Sequence, residues 1–264
     1  MYYSNHTIVS TAQNVNEEIL QEAHRVSELL ELPYVERKKV PLERLLTQYN
    51  AKESIILKKA GPSLYTGKDF SHSFHLSMAQ LRLLAIKRGT LDHLAVAIGE
   101  EPLHSFLDCT AGLCSDTLIV SYTHPECEHI IALEGSKTLA YITNHGLRHF
   151  IHTDAAVTAA LRSIQLLNIR YEDFLKRAKT DSFDVIYFDP MFEVPVVESP
   201  QFLALRGHLI ETTLTKEILE ESLRVAKRKV IVKERTFSKF FKTYKPTRFE
   251  GGKYSRIVYG IYDK

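Results

Sequence analysis

The sequence predicts an α/β protein in which a small N-terminal unit, residues 1–72, precedes a larger domain at 73–264 with a mostly parallel sheet. From Leu76 onward, apolar strand-like runs alternate with segments of helical periodicity, and this alternation is typical of βαβ units. The earlier residues contain fewer and shorter elements, and they end in the polar stretch "TGKDFSHS". The change of pattern places the predicted boundary between the two parts.

The N-terminal unit is predicted to be a small α/β appendage. Apolar residues recur with helical spacing after Asn14 and Asn16, either of which suits a helix N-cap. The predicted elements are a strand at 7–11, helices at 15–31 and 41–49, and a strand at "SIILKK" followed by the turn "AGPS".

The larger domain is predicted to alternate strands and helices to its end. Gly89 and Gly99 follow two helical segments in the position of a C-terminal cap. The predicted helices lie at 76–88, 90–98, 115–122, 136–149, 171–178 and 214–227. The predicted strands are "HSFLDCT", "HIIALE", "SIQLLNI", "DVIYFDP", "KVIVKE" and "RIVYGIY".

Composition excludes several classes of protein. No apolar run approaches the roughly 18 residues that a membrane span needs. The N-terminus has neither the basic nor the apolar segment of a secretory signal. The three cysteines are odd in number and fit no zinc spacing. We therefore expect a cytoplasmic protein with reduced thiols, no metal and no membrane partner.

Charge is distributed unevenly along the chain. The 224–256 segment carries twelve Lys or Arg against two acidic residues, a net charge of +10. Because the whole chain carries +2, the remainder carries −8. Aromatic residues are interleaved with the cations of this segment, and the mixture suits phosphates and unpaired bases. The alternative is a solvated rim in which about half of these aromatic residues belong to the core.

Three predicted strands end on an acidic residue: Asp108, Glu134 and Asp189. Ligands of parallel α/β sheets bind outside the carboxyl ends of the strands. "FLDCTAGLCSD" is a strand, a turn of small residues including Gly112, and a helix start whose N–H groups suit a polar ligand. A tight βα turn without a ligand explains this segment equally well. Glu134, which follows the next strand, could accept hydrogen bonds from ribose hydroxyls, or it could simply precede a helix.

The segment "DPMF" suggests chemistry on an amine. A carboxylate at Asp189 and the carbonyl of Pro190 can accept both N–H bonds of an exocyclic nucleobase amine and hold its lone pair toward an electrophile. Phe192 could stack on the base. The alternative is a buried strand that ends in a proline turn, with Phe192 in the core.

These motifs resemble those of class I methyltransferases that use S-adenosyl-L-methionine, and more narrowly those of the RsmJ family. The first motif of that family, D-A-T-A-G-L-G-x-D, stands here as "DCTAGLCSD", and its "YLDPMF" stands here as "YFDPMF". Its later "VVVKR" is similar to "VIVKER" at 230–235. The resemblance runs from about Phe74 to the C-terminus.

The resemblance implies a Rossmann-like, seven-stranded sheet and methylation of the exocyclic N2 of a guanosine in small-subunit ribosomal RNA. Asp189, Pro190 and Phe192 would act in catalysis. Cofactor contacts would fall on Asp108, Gly112, Ser115, Asp116, Glu134, Gly135, Arg170, Tyr171 and Asp189. RNA contacts are predicted at Lys233, Arg235, Lys239 and Lys242.

Two departures from the family pattern stand in this sequence. Cys114 replaces the second glycine of the first motif, and Arg170 and Tyr171 stand where small polar residues are expected. Two alternatives remain open: an enzyme of the same fold that acts on DNA or a small molecule, and a non-catalytic RNA-binding module.

Overall fold

The computed structural model describes residues 7–67, 71–190 and 214–264. The chain divides into two compact units. The first contains the described residues up to 75 together with 137–146, and the second contains the other described residues. The predicted boundary at residue 72 stays a prediction, since the first unit also takes in a segment distant in sequence. None of the helices in these ranges is long and apolar enough to cross a membrane.

The first unit is a four-stranded sheet with helices, in the order β1-β2-β3-β4. Strands β1 and β2 are parallel, and the remaining pairs are antiparallel. Asn16, one of the two predicted caps, accepts a hydrogen bond from the N–H group of Ile19. Its elements are β1 (Thr7–Thr11), α1 (Glu17–Leu30), α2 (Leu42–Gln48), β2 (Glu53–Leu57), β3 (Ser63–Tyr65) and β4 (Ser71–Ser73). The last two strands were not predicted, because three residues are too few to show an alternating pattern.

The second unit contains a seven-stranded sheet in the order β10-β11-β9-β8-β5-β6-β7, which confirms the predicted fold class. Strands β9, β8, β5, β6 and β7 run parallel to one another, whereas β11 is antiparallel to both β9 and β10. The strands are β5 (Ser105–Asp108), β6 (His129–Leu133), β7 (Ile164–Leu167), β8 (Phe183–Phe188), β9 (Ala226–Arg235), β10 (Arg248–Glu250) and β11 (Ile257–Asp263). Strand β10 was not predicted.

The helices that follow α2 along the chain agree with the predicted alternation. They are α3 (Ser77–Lys87), α4 (His93–Ile98), α5 (Ser115–Thr123), α6 (Lys137–His149), α7 (Ala155–Ser163), α8 (Tyr171–Arg177), α9 (Lys216–Val225) and α10 (Lys239–Thr243). Helices α7 and α10 were not predicted. Asp154 and Ser238, their N-caps, accept backbone N–H bonds at the first turn of each helix.

The core of the second unit explains why its central strands are apolar on both faces. All six residues of β8 are buried, as are all four of β5, because parallel strands at the centre of such a sheet are covered by helices on both sides. In register, Asp108 lies beside Ala132 of β6 and Tyr187 of β8. The carboxyl ends of β5, β6 and β8 therefore meet at one edge of the sheet, which brings the three predicted acids to the same edge.

Candidate active site

The turn after β5 is organised by Asp108, which is buried. Its Oδ1 accepts the Thr110 N–H at 2.9 Å, and its Oδ2 accepts the hydroxyl of Thr117 in helix α5. Burial raises the pKa of Asp108 to about 7, although both hydrogen bonds act in the opposite direction. Asp108 thus joins the end of the strand to the first turn of the helix.

The backbone conformations of Gly112 and Cys114 determine the path of this turn. Both adopt left-handed backbone conformations, with φ of +52° at Gly112 and +58° at Cys114. No heavy atom of a described residue lies within 4 Å of a β-carbon built on Gly112, so the turn has open space beside it. A left-handed conformation is the reason that glycine suits position 114, and cysteine adopts it at some energetic cost.

Helix α5 begins directly after the turn, at Ser115. The first N–H groups of a helix have no partner within the helix, and they carry a partial positive charge. Because the helix follows the open turn at Gly112, these N–H groups suit an anionic group such as the carboxylate of an amino-acid moiety. The polar contacts predicted at this helix start stay a prediction, with which the position of the helix agrees.

Glu134 follows β6 and is buried beside the same turn. Its carboxylate oxygens accept the N–H groups of Gly112, at 3.1 Å, and of Ser136, at 2.7 Å. The Asn168 amide donates to the Glu134 carbonyl at 2.8 Å. Burial raises the pKa of Glu134, while hydrogen bonds from Ser136, Gly112 and Gly135 oppose the change. The carboxylate is therefore held rigidly by the turn that surrounds it.

Asp189, at the end of β8, is tied to the turn after β5. Its backbone N–H donates to the hydroxyl oxygen of Thr110 at 2.6 Å. Its side chain is 30% exposed, and Pro190 follows it directly. Burial raises the pKa of Asp189 to about 6, with the Lys233 ammonium acting to lower it and the Asp116 carboxylate to raise it. Phe192, the third predicted catalytic residue, lies outside the described residues.

Lys233 connects two carboxylates at this edge of the sheet. Its Nζ lies 2.7 Å from Oδ2 of Asp189 and 2.9 Å from Oδ2 of Asp116. The predicted contact of Lys233 with RNA phosphates needs correction, since its side chain is only 21% exposed and its ammonium group lies within hydrogen-bonding distance of both carboxylates. Lys233 stands in β9 opposite the end of β8, and this register turns it toward the site.

Asp116 is the centre of a buried charge network. Besides Lys233, it accepts a hydrogen bond from the hydroxyl of Tyr187 at 2.8 Å and from the guanidinium group of Arg82. Arg82 in turn forms a bidentate ion pair with Asp92, at 2.8 Å for both bonds. The neighbouring cations hold the pKa of Asp116 well below its usual range, despite burial.

This network bears on the predicted cofactor contact of Asp116, which stays a prediction. Its Oδ2 accepts hydrogen bonds from Tyr187 and Lys233, and its Oδ1 accepts one from Arg82, so the carboxylate is held by the chain itself. The backbone N–H of Asp116, in the first turn of α5, is a second group that could contact a ligand.

The predicted cofactor contacts at Arg170 and Tyr171 fall on residues with different surroundings in the structure. Tyr171 is buried, and its ring packs edge-on against Phe188 with 5.4 Å between centroids, so it belongs to the core. Arg170 is exposed and forms an ion pair with Glu172 at 2.8 Å. The first residue of α8 is therefore a large aromatic side chain packed against β8, which the sequence pattern could not show.

The remaining predicted RNA-binding residues lie outside the network. Lys239 and Lys242 are exposed on α10, and Arg235 is half-buried at the end of β9. Of the six aromatic residues interleaved with these cations, Phe237, Phe249 and Tyr254 are exposed. The other three, Phe240, Phe241 and Tyr244, pack in the core, in the proportion that the sequence analysis considered.

Five residues of the site were not predicted from the sequence: Arg82, Asp92, Thr110, Thr117 and Tyr187. Only Asp92 gives a signal in the sequence, since it stands before a helix and caps the N–H groups of Leu94 and Ala95. The others lie inside ordinary helix, strand or turn patterns. Their importance comes from partners that are distant along the chain.

The parallel sheet, with its acids grouped at the carboxyl edge beside an open turn and a helix start, defines a cofactor-binding transferase fold. The chain belongs to the family described as "Putative SAM-dependent methyltransferase", which matches residues 72–264. Members of this family use S-adenosyl-L-methionine as cofactor.

Individual relatives cover nearly the whole chain. It is 29% identical over 237 residues to "Uncharacterized protein YpiP" of Bacillus subtilis, a match that covers 90% of this chain and 92% of the relative. It is 26% identical over 244 residues to "Ribosomal RNA small subunit methyltransferase J" of Coxiella burnetii, covering 90% and 91%. These relatives confirm the predicted resemblance to the RsmJ family.

A solved structure supports the fold. The SAM-dependent methyltransferase NGO1261 of Neisseria gonorrhoeae superimposes with a TM-score of 0.67, covering 97% of this chain and 95% of that chain. The two sequences are 16% identical, so the likeness concerns the fold alone.

Proposed function

We propose that the protein methylates the exocyclic N2 amine of a guanosine in small-subunit ribosomal RNA. The observation that carries the proposal is the position of Asp189. Its carboxylate is held beside Pro190, at the edge of the sheet where the carboxyl ends of β5, β6 and β8 meet. The relatives named ribosomal RNA small subunit methyltransferase J support the choice of nucleic acid.

The residues at this edge fit S-adenosyl-L-methionine. The cofactor carries a positive sulfonium and ammonium, ribose hydroxyls and a carboxylate. Glu134 and Asp189 supply negative charge and acceptors at two strand ends. Asp108, at the end of the strand between them, positions the turn after β5. The open space at Gly112 and the start of α5 suit the methionine portion. Glu134, fixed by two backbone N–H groups, would accept hydrogen bonds from the ribose hydroxyls.

Asp189 and Pro190 would orient the amine. When bound, S-adenosyl-L-methionine supplies an electrophilic methyl group. Lys233 occupies Oδ2 of Asp189, so Oδ1 would accept one N–H of the amine and the Pro190 carbonyl the other. Two acceptors fix the direction of the nitrogen lone pair, and this positioning lowers the barrier without a strong base. The raised pKa of Asp189 makes its carboxylate a better proton acceptor than one at the surface.

The basic C-terminal part of the chain would bind the RNA. Lys239 and Lys242 are exposed on α10, and Arg235 precedes that helix at the end of β9. Cations at this position would contact phosphates on either side of the target nucleotide. The cytoplasmic location predicted from the sequence stays a prediction that agrees with a ribosomal substrate.

Mass spectrometry of ribosomal RNA nucleosides tests the proposal. Small-subunit RNA from cells with and without the gene is digested and compared, and we expect N2-methylguanosine to decrease in its absence. Restoration by the wild-type gene, but not by an Asp189→Ala variant, would assign the modification to this site. Unchanged N2-methylguanosine would contradict the proposed substrate.

Two further measurements separate the alternatives. Methyl transfer to DNA or to a small molecule without RNA would indicate an enzyme of the same fold with another substrate. Failure to bind S-adenosyl-L-methionine at millimolar concentration in a calorimeter would indicate a non-catalytic module.

A further inference from the structure

Two exposed aromatic residues stand in adjacent backbone segments, at the edge of the sheet that carries Asp189. Phe237 is 82% exposed and Tyr254 is 89% exposed. Exposed large apolar side chains of this kind mark interaction sites when they are grouped and surrounded by polar residues. The position and the charge of the residues around Phe237 and Tyr254 therefore indicate the kind of partner that they bind.

The strand pairing places both residues at this edge. Strand β11 runs antiparallel to β9, with Ile257 opposite Arg235, so the chain before β11 and the chain after β9 meet. The backbone N–H of Thr236 donates to the carbonyl of Arg256 at 3.1 Å. Phe237 directly follows one partner of this bond, and Tyr254 precedes the other by two residues.

The same edge continues to the proposed active site. Lys233, which contacts Asp189, precedes Phe237 by four residues of chain. Four residues span at most about 14 Å even when fully extended. A polymer that places one unit at Asp189 could therefore place neighbouring units on Phe237 and Tyr254.

The charge around the two rings favours a polyanion. Residues 235–256 contain seven Lys or Arg and one acid, Glu250. Glu250 faces Nδ1 of His93, which lies 2.8 Å from its Oε1, and among the described residues it forms no ion pair with a Lys or Arg of this segment. Within the described parts of the chain, no ion pair forms at Lys239, Lys242, Lys253 or Arg256, and Lys253 lies over the Tyr254 ring at 5.5 Å.

We propose that Phe237 and Tyr254, with Lys239, Lys242, Lys253 and Arg256, form a stacking surface for unpaired bases of single-stranded RNA next to the methylated nucleotide. The rings would stack on bases, and the cations would contact phosphates. Stacking needs unpaired bases, so the surface selects a single-stranded segment over a duplex. This inference rests on the proposed function and adds the conformation of the RNA that the site accepts.

Fluorescence anisotropy of the full chain tests this surface without the cofactor. The probe is a short, labelled, alternating adenosine–cytidine RNA, which cannot pair with itself, and the competitor is a duplex of the same length. We expect Phe237→Ala and Tyr254→Ala each to weaken single-strand binding at least about fivefold, whereas Phe237→Trp retains it. Tyr49→Ala, at a tyrosine 50% exposed in the first unit, is the matched control and should bind normally.

The salt dependence of RNA binding separates the contribution of base stacking from that of phosphate contacts. Phe237→Ala should leave the slope of log K against log salt unchanged, because no phosphate contact is lost. Lys239→Gln and Lys253→Gln should each reduce the slope by about 0.7. Equal binding by wild type and both alanine variants, or tighter binding of the duplex, would overturn the stacking surface. Methyl transfer and cofactor binding, measured separately, report on the proposed function whatever the anisotropy shows.

Discussion

Lys233 and Asp189 form an ion pair across β9 and β8, with 2.7 Å between Nζ and Oδ2. The same ammonium group lies 2.9 Å from Asp116, so one cation stabilises two carboxylates that would otherwise repel each other. The strand that carries Lys233 thereby controls the ionisation of the proposed amine-binding residue. This relationship leads to the first two predictions.

Replacing Lys233 by Met is expected to change the pH dependence of methyl transfer. Asp189 has a pKa raised to about 6, and loss of the cation raises it further, so the carboxylate becomes protonated at a higher pH. The acid limb of the rate profile should move to higher pH, and the deficit relative to wild type should increase as pH falls. Breaking the buried pair should also lower stability by about 3–5 kcal/mol. Lys176→Met, at an exposed lysine of α8, is the control, and an unmoved acid limb in Lys233→Met would contradict the assignment.

Asp189→Ala is expected to abolish methyl transfer while RNA affinity persists. The variant removes one of two acceptors for the amine, and the loss of orientation should reduce the rate at least about a hundredfold. Single-turnover transfer to unmethylated small-subunit RNA measures the rate, and anisotropy measures binding. Asp173→Ala, at an exposed aspartate of α8, serves as the control. Near-normal turnover by Asp189→Ala would exclude the proposed role.

Glu134→Gln is expected to weaken cofactor binding about tenfold or more. The amide retains one acceptor oxygen, so a backbone N–H of Gly112 or Ser136 loses its partner together with the ribose contact. Calorimetry with S-adenosylhomocysteine and its 2′-deoxyribose analogue distinguishes these effects. Wild type should bind the analogue less tightly, and Glu134→Gln should show a much smaller difference between the two. An equal loss of affinity for the 2′-deoxyribose analogue in wild type and in Glu134→Gln would show that Glu134 does not contact the ribose.

Asp108→Asn is expected to stabilise the chain more at pH 8 than at pH 5. In the folded protein the pKa of Asp108 is raised to about 7. The native state therefore binds more protons than the unfolded state between about pH 4 and 7. The free energy of unfolding decreases as pH rises through this range. Asparagine does not ionise. Its oxygen can accept the Thr110 N–H, and its amide nitrogen can donate to the Thr117 hydroxyl oxygen, which reverses the direction of that bond. The gain at pH 8 has an upper bound of about 4 kcal/mol. Denaturation at both pH values measures it, with Asp173→Asn as control, and a pH-independent change would contradict the raised pKa.

Cys114→Gly is expected to be at least as stable as Cys114→Ala. Residue 114 has a φ of +58°, and any residue with a β-carbon is disfavoured there by about 1–2 kcal/mol. Cys109, also buried but without a positive φ, provides the comparison, and there the glycine variant should be the less stable of the two. Chemical denaturation of the four variants measures both differences. The same order at both positions would show that backbone strain does not govern residue 114.

Much of the fold was predictable because it depends on local patterns. The alternation after Leu76 and the apolar runs predicted the parallel strands, and the acids at their ends predicted the functional edge. The elements that were missed, such as β10 and α10, are three and five residues long. Segments of that length carry too little periodicity to separate them from loops.

The sequence by itself determined that Asp108, Glu134 and Asp189 stand at the ends of strands, because strand ends can be read from adjacent residues. Only the tertiary structure decided that Lys233 turns toward Asp189 and Asp116, which are 44 and 117 residues away, and that Arg82 reaches Asp116 across 34 residues. These pairs depend on strand order and on the register of β9 beside β8. Lys233 was therefore interpreted as a surface residue because it stands in a basic segment, although the sheet places it in the site.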